Sequence, residues 1–192
     1  MGRKLQNVTN NFDPSSIALL SALEQHNRIV MLAGEINEIS VAHTIGQLTT
    51  LSQQDCVKPI HFMLNTYGGS LDDMFALYDT LKFIQCPVHT IGLGKIMSAG
   101  VLLLAAGNKG NRLLGKNARL MLHPVSTFLR GNVFQILNES DEINRLQTQL
   151  EACLTLETKM SIKEYKKLMK QGNDIYISPT DALKYGIVDK LI

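Results

Sequence analysis

The chain has 192 residues, enough for one domain with a substantial core. Hydrophobic residues make up 45 % and charged residues 19 %, the balance of a globular chain rather than a disordered one. A net charge of +2 is too small to argue for nucleic acid or an anionic membrane, and no apolar run is long enough to span a bilayer. Cys56, Cys86 and Cys153 are odd in number and widely spaced, which fits free thiols in a reducing, cytoplasmic compartment. The N-terminus lacks the apolar core of a secretory signal.

Residues 1–16 read as a polar, flexible segment and 17–192 as a single domain. Asp13, Pro14, Ser15 and Ser16 signal a helix start, with Ile17, Leu19, Leu20 and Leu23 as its apolar face. Residues 28–33 read as a buried strand broken by Gly34. Residues 39–51 read as a helix with Val41, Ile45 and Leu48 inward. A loop over 55–59 leads to a strand over 60–64. The run 65–70, Asn-Thr-Tyr-Gly-Gly-Ser, reads as a turn opening a helix over 71–84. Its paired glycines allow the backbone to approach something closely.

The stretch TIGLGKIMSAGVLLLAAG, residues 90–107, organises the chain. The pattern predicts a strand over 88–92 and a buried helix over 98–106. Ser98 stands at the mouth of that helix. There it can be an N-cap, or a nucleophile if a base reaches it and backbone N–H groups hold an oxyanion. Residues 107–115 hold three glycines and two asparagines and read as a turn. Residues 119–122 read as a strand delivering His123, and Pro124 ends any regular ladder.

The longest predicted helix covers 133–160. Val133, Ile136, Ile143, Leu146, Leu150, Cys153 and Leu154 recur at three- and four-residue steps. So long a stripe exceeds what one core covers, and predicts packing on a neighbouring subunit. A short helix follows Ser161, with Glu164 in capping-box position. Residues 173–177 read as loop and strand. A helix starts at Ser178 and Pro179 and ends at Gly186, and 187–192 read as a terminal strand. Alternation of strand and helix predicts an α/β fold of parallel βαβ units.

Of the five histidines, His26 and His43 fall on helices and His61 and His89 within strands. His123 alone ends a strand beside a loop. Asp174, by itself, reads as a solvated or helix-pairing carboxylate.

Taken together, these anchors resemble the ClpP family, the proteolytic subunits of ATP-dependent Clp proteases. IVMLAGEIN resembles the family's first strand and turn, and residues 65–70 its NSPGGS turn. LYDTLKFI resembles the next helix, SAGVLLLAAG the serine block and MLHPV the histidine block. DIYISPTDALKYGIVD resembles the aspartate block and closing helix, all in the family's order. The resemblance implies a crotonase-like α/β spiral with a projecting handle helix at 133–160. It implies Ser98 as nucleophile, His123 as general base and acid, and Asp174 as the residue orienting His123. Gly69 and Ala99 are the implied backbone oxyanion donors. No metal or bound cofactor is implied. The implied partners are further copies in heptameric rings stacked as a tetradecamer, a Clp AAA+ ATPase, and unfolded polypeptide substrates. Neither nucleic acid nor membrane is among them.

The chain departs from the family pattern at several places. Tyr67 replaces a proline, and Pro124, Val125, Ser126 and Thr127 replace Gln-Pro and paired glycines. Pro124 removes a donor from the segment that pairs with an extended peptide. Asn173 replaces an arginine that pairs across the ring–ring interface, and His61 and Met63 replace aromatics near the ATPase-docking pocket. Two readings follow: an active serine endopeptidase subunit, or a weakly active assembly subunit completed by a second ClpP-like partner. A crotonase-type acyl-CoA enzyme would explain the glycine turn but not Ser98, His123 and Asp174 together.

Overall fold

A computed structural model describes residues 26–170 and 174–192. The expected helix start at Asp13 to Ser16, the flexible segment 1–16 and Asn173 lie outside the described residues. The elements are β1 (Ile29–Ile36), α1 (Glu38–Gln54), β2 (Ile60–Gly69), α2 (Leu71–Phe83), β3 (Val88–Met97), α3 (Ala99–Ala105) and β4 (Arg112–Leu114). They continue as β5 (Arg119–Leu122), α4 (Val133–Glu157), α5 (Ile162–Met169), β6 (Ile175–Ile177), α6 (Pro179–Lys184) and β7 (Lys190–Leu191). The strands form one seven-stranded sheet in the order β1-β2-β3-β4-β7, with β5 on β3 and β6 on β5. Every pairing is parallel except β5 with β6. Six helices are described, so the fold is the expected mixed α/β arrangement of βαβ units.

β3 is the strand the sheet divides around. Its first half, Thr90 to Gly92, pairs with β4, and its second half, Lys95 to Met97, pairs with β5. α3 follows directly and all seven of its residues are buried. Apolar side chains of β1 and β2, such as Val30, Leu32, Phe62 and Leu64, join it in one core with Met74 and Leu77 of α2. Burying that many aliphatic groups supplies most of the folding free energy, at roughly 25 cal/mol per Å².

Local chemistry explains most helix ends. Asn37 caps α1 and Ser161 caps α5, each in a reciprocal capping box, and Ser178 caps α6 with Pro179 in its first turn. The Arg28 guanidinium donates to the carbonyls of Leu51, Asp55 and Pro59, satisfying the end of α1 and tying down its loop.

Four expectations are corrected. The run 65–70 is not a turn: β2 continues to Gly69. Gly34 pairs with Thr66 and Glu35 with Gly68, so Tyr67 is bulged out and exposed. β3 likewise runs past Gly92 to Met97, with Gly94 absorbing a φ of 68°. The glycine-rich stretch 107–115 contains β4, whose Arg112 is 3 % exposed and bridges Asp189 at 2.7 Å. The terminal strand is shorter than expected, only Lys190–Leu191.

α4 ends at Glu157, and its fully buried residues are confined to 150–157. Its first turns leave Val133, Phe134 and Leu137 in solvent, and Phe128, in the segment before α4, is exposed as well. Among the described residues, no helix is long and apolar enough to cross a membrane.

Candidate active site

The strand-to-helix junction at Ser98 is strained. Ser98 has φ 54° and ψ −125°, a region that costs a non-glycine residue about 1–3 kcal/mol. Its side chain makes no cap bond to α3, so the N-cap role is overturned. A sharp, strained turn between strand and helix lifts a serine hydroxyl out of the sheet, as in a nucleophile elbow.

Two contacts hold the turn. The Ser98 N–H donates to Met121 O at 2.7 Å, extending the β3–β5 pairing by one step. From the other side, Gly68 packs flush against Ser98. A Cβ on Gly68 would fall 2.7 Å from Ser98 Cβ and 2.9 Å from Met97 O. Gly68 itself is held by its N–H donating to the buried Thr66 Oγ1 at 2.9 Å.

β5 then carries the chain two residues past Met121 to His123. His123 Nε2 lies 2.8 Å from Ser98 Oγ. That is the geometry of a hydroxyl whose proton can pass to an imidazole.

Asp174 comes from the next strand. β6 runs antiparallel to β5 with Leu122 opposite Ile175, so His123 and Asp174 stand one step beyond that pair, facing each other. The Asp174 side chain is nevertheless exposed, and no hydrogen bond joins it to His123. The two side chains that meet are therefore Ser98 and His123.

Gly69 follows Gly68 on β2, and Ala99 follows Ser98. Gly69 ends β2 so close to β1 that a Cβ would sit 2.1 Å from Ile36 O, and it lines the cleft. Ala99 opens α3, where the first-turn N–H groups have no partner within the helix.

The cleft has a volume of about 420 Å³ and holds both Ser98 and His123. Leu71 of α2 and Ile143, Leu146 and Leu150 of α4 give it an apolar wall, and Val125, Ser126 and Thr127 another side. Tyr67 stands at its rim, with Lys95 Nζ 4.6 Å from the ring centroid. Sequence reasoning named Gly69 but not Gly68, although the doubled glycine was its signal. The wall residues of α4 were read only as packing positions.

His61 and His89 are register partners on β2 and β3 and meet edge to face at 5.5 Å, far from this cleft in the sheet. Burial first, then His61 and Lys190, hold His89 below the ordinary imidazole range. Cys56, Cys86 and Cys153 are all free.

Comparison with known proteins agrees with this architecture. The family model described as Clp protease matches residues 13–192. A similar relative is "ATP-dependent Clp protease proteolytic subunit 2" of Leifsonia xyli subsp. xyli (strain CTCB07). It is 34 % identical over 168 residues, 86 % of this chain and 74 % of that protein. This chain belongs to the Clp protease family.

Proposed function

We propose that the chain is a serine endopeptidase subunit that hydrolyses unfolded polypeptide in a cleft closed by assembly. The 2.8 Å contact between Ser98 Oγ and His123 Nε2, on a strained elbow inside a cleft, carries this reading.

With the His123 proton on Nδ1, Nε2 accepts from the serine hydroxyl. Ser98 Oγ attacks the peptide carbonyl carbon while its proton passes to Nε2. The oxyanion is held by the N–H groups of Gly69 and Ala99. His123 then gives the proton to the leaving amine, and an acyl-serine remains. Water attacks it, His123 takes the water's proton, and Ser98 is released with its hydroxyl restored. Asp174 orients Nδ1–H and stabilises the imidazolium. No step requires a metal or bound cofactor.

Assembly completes the unit, a single domain over 17–192. The apolar residues bared on the first turns of α4, Val133, Phe134 and Leu137, are of the kind that marks a subunit interface. They support rings of this chain stacked through α4, receiving substrate from a Clp ATPase in the cytoplasm.

The exposed Asp174 favours a second form of the reading. The lone subunit is weakly active, and contact with a neighbour, a copy or a second ClpP-like subunit, brings Asp174 onto His123. The test is digestion of an unfolded model polypeptide by wild type and Ser98→Ala, each alone and with a second Clp protease subunit. Cleavage by wild type in either setting, absent in Ser98→Ala, supports the proposal. Equal digestion by both variants would sink it.

A further inference from the structure

Gln147 ties the cleft's wall helix to the segment that follows His123. It lies on α4 beside Leu146 and one turn before Leu150, both of which line the cleft. Its Oε1 accepts the Val125 N–H at 2.8 Å, and its Nε2 donates to Tyr165 Oη at 3.2 Å. Tyr165 is 1 % exposed, on α5, so the far end of the amide is anchored in the core. Both ends of one side chain are thus occupied, acceptor toward the cleft and donor toward the core.

This tether stands alone. Residues 123–130 have no helix or strand. Among the described residues, the bond from Val125 to Gln147 is the single hydrogen bond made by residues 124–130. Pro124 has no N–H, and that of Val125 is already engaged. Two consecutive donors are therefore withdrawn from anything lying along this side of the cleft.

We propose that Gln147 is a positioning residue for the substrate. It fixes the Pro124 to Thr127 side of the cleft, where only carbonyls are offered at Pro124 and Val125, so a bound peptide must donate its own N–H groups there. The inference rests on the peptidase reading for its substrate. Gln147 touches none of the reacting atoms, so it acts through Val125.

The test compares Gln147→Met, which keeps the shape but loses the acceptor, with Gln147→Glu. The latter keeps an acceptor for Val125, and its second oxygen can accept a hydrogen bond from the Tyr165 hydroxyl. Three readouts are taken on the full chain with any partner subunit its activity requires. They are hydrogen exchange at the Val125 amide, KM and kcat on a peptide, and labelling of Ser98 by a small fluorophosphonate. In Gln147→Met, exchange at Val125 rises at least tenfold and KM rises about tenfold, with kcat and labelling unchanged. Gln147→Glu restores both. Unchanged exchange in Gln147→Met overturns the tether, and faster exchange with unchanged KM overturns the positioning role. An equal fall of kcat at unchanged KM in both variants also overturns it, since that is what mere unfolding gives. A wild-type chain that fluorophosphonate never labels overturns the peptidase reading and the substrate role with it, while exchange at Val125 still decides the tether.

Discussion

The amide of Ser98 donates to the carbonyl of Met121 at 2.7 Å, and this backbone bond sets the spacing between Ser98 and His123. It locks the end of β3 to β5 two residues before His123. The imidazole therefore arrives 2.8 Å from the serine oxygen by strand register rather than by side-chain adjustment. Holding two reacting groups in this way removes entropy from the barrier before substrate arrives.

The strain at Ser98 has a measurable signature. A left-handed φ of 54° is easier for glycine than for alanine. Ser98→Gly should be more stable than Ser98→Ala by about 1 kcal/mol in urea unfolding, although both lack the nucleophile. The reverse order would mean that the elbow is not strained.

Gly68→Ala should damage the site without touching a reacting group. The new Cβ would meet Ser98 Cβ at 2.7 Å, on a backbone with φ 98°. We expect a loss of about 2 kcal/mol in stability and on the order of 10²-fold in activity, because Ser98 must move. Full activity in a folded Gly68→Ala would remove Gly68 from the account.

How far this was legible in the sequence depends on whether the determinant was local. Residues 119–122 were readable as β5, because turn residues bound them on both sides. The Ser161–Glu164 box marked the start of α5 for the same reason. By contrast, the far end of β2 looked like a turn, since its glycines signal one, and β3 read as ending at Gly92. What keeps them extended is pairing with Gly34 to Ile36 and with β5, which is not local. β4 hid among glycines because its partners β3 and β7 are distant in the chain. Ser98 and His123 stood out by position, whereas Gln147 looked like any polar residue on a helix. Only the fold brings it to Val125.

The Arg112–Asp189 pair sets an acid limit on stability. Hydrogen bonds from the Arg112 guanidinium hold Asp189 at about 2, well below the ordinary 3.8. A depressed carboxylate contributes fully above its unfolded value and loses that contribution as pH falls toward its folded one. Asp189→Asn should cost about 2 kcal/mol at neutral pH, and the gap to wild type should close between about pH 5 and 2. A gap that stays constant with pH in denaturant titrations would show that the pair does not carry the linkage.

Asp174 should matter only once the site is assembled. In the lone chain it is exposed and unbonded to His123, so Asp174→Asn should change fluorophosphonate labelling less than threefold by the small-effect scale of exposed groups. In an active assembly the same change should cost on the order of 10⁴-fold, the scale seen when a triad loses its carboxylate. Equal effects in both settings would mean that assembly does not complete the triad.

The most direct measurement is mass-spectrometric mapping of fluorophosphonate adducts on the purified protein, alone and with a second Clp protease subunit. An adduct is expected on Ser98 in at least one setting, lost in Ser98→Ala and strongly slowed in His123→Ala. An adduct that persists in Ser98→Ala, or none in either setting, would contradict the serine peptidase reading.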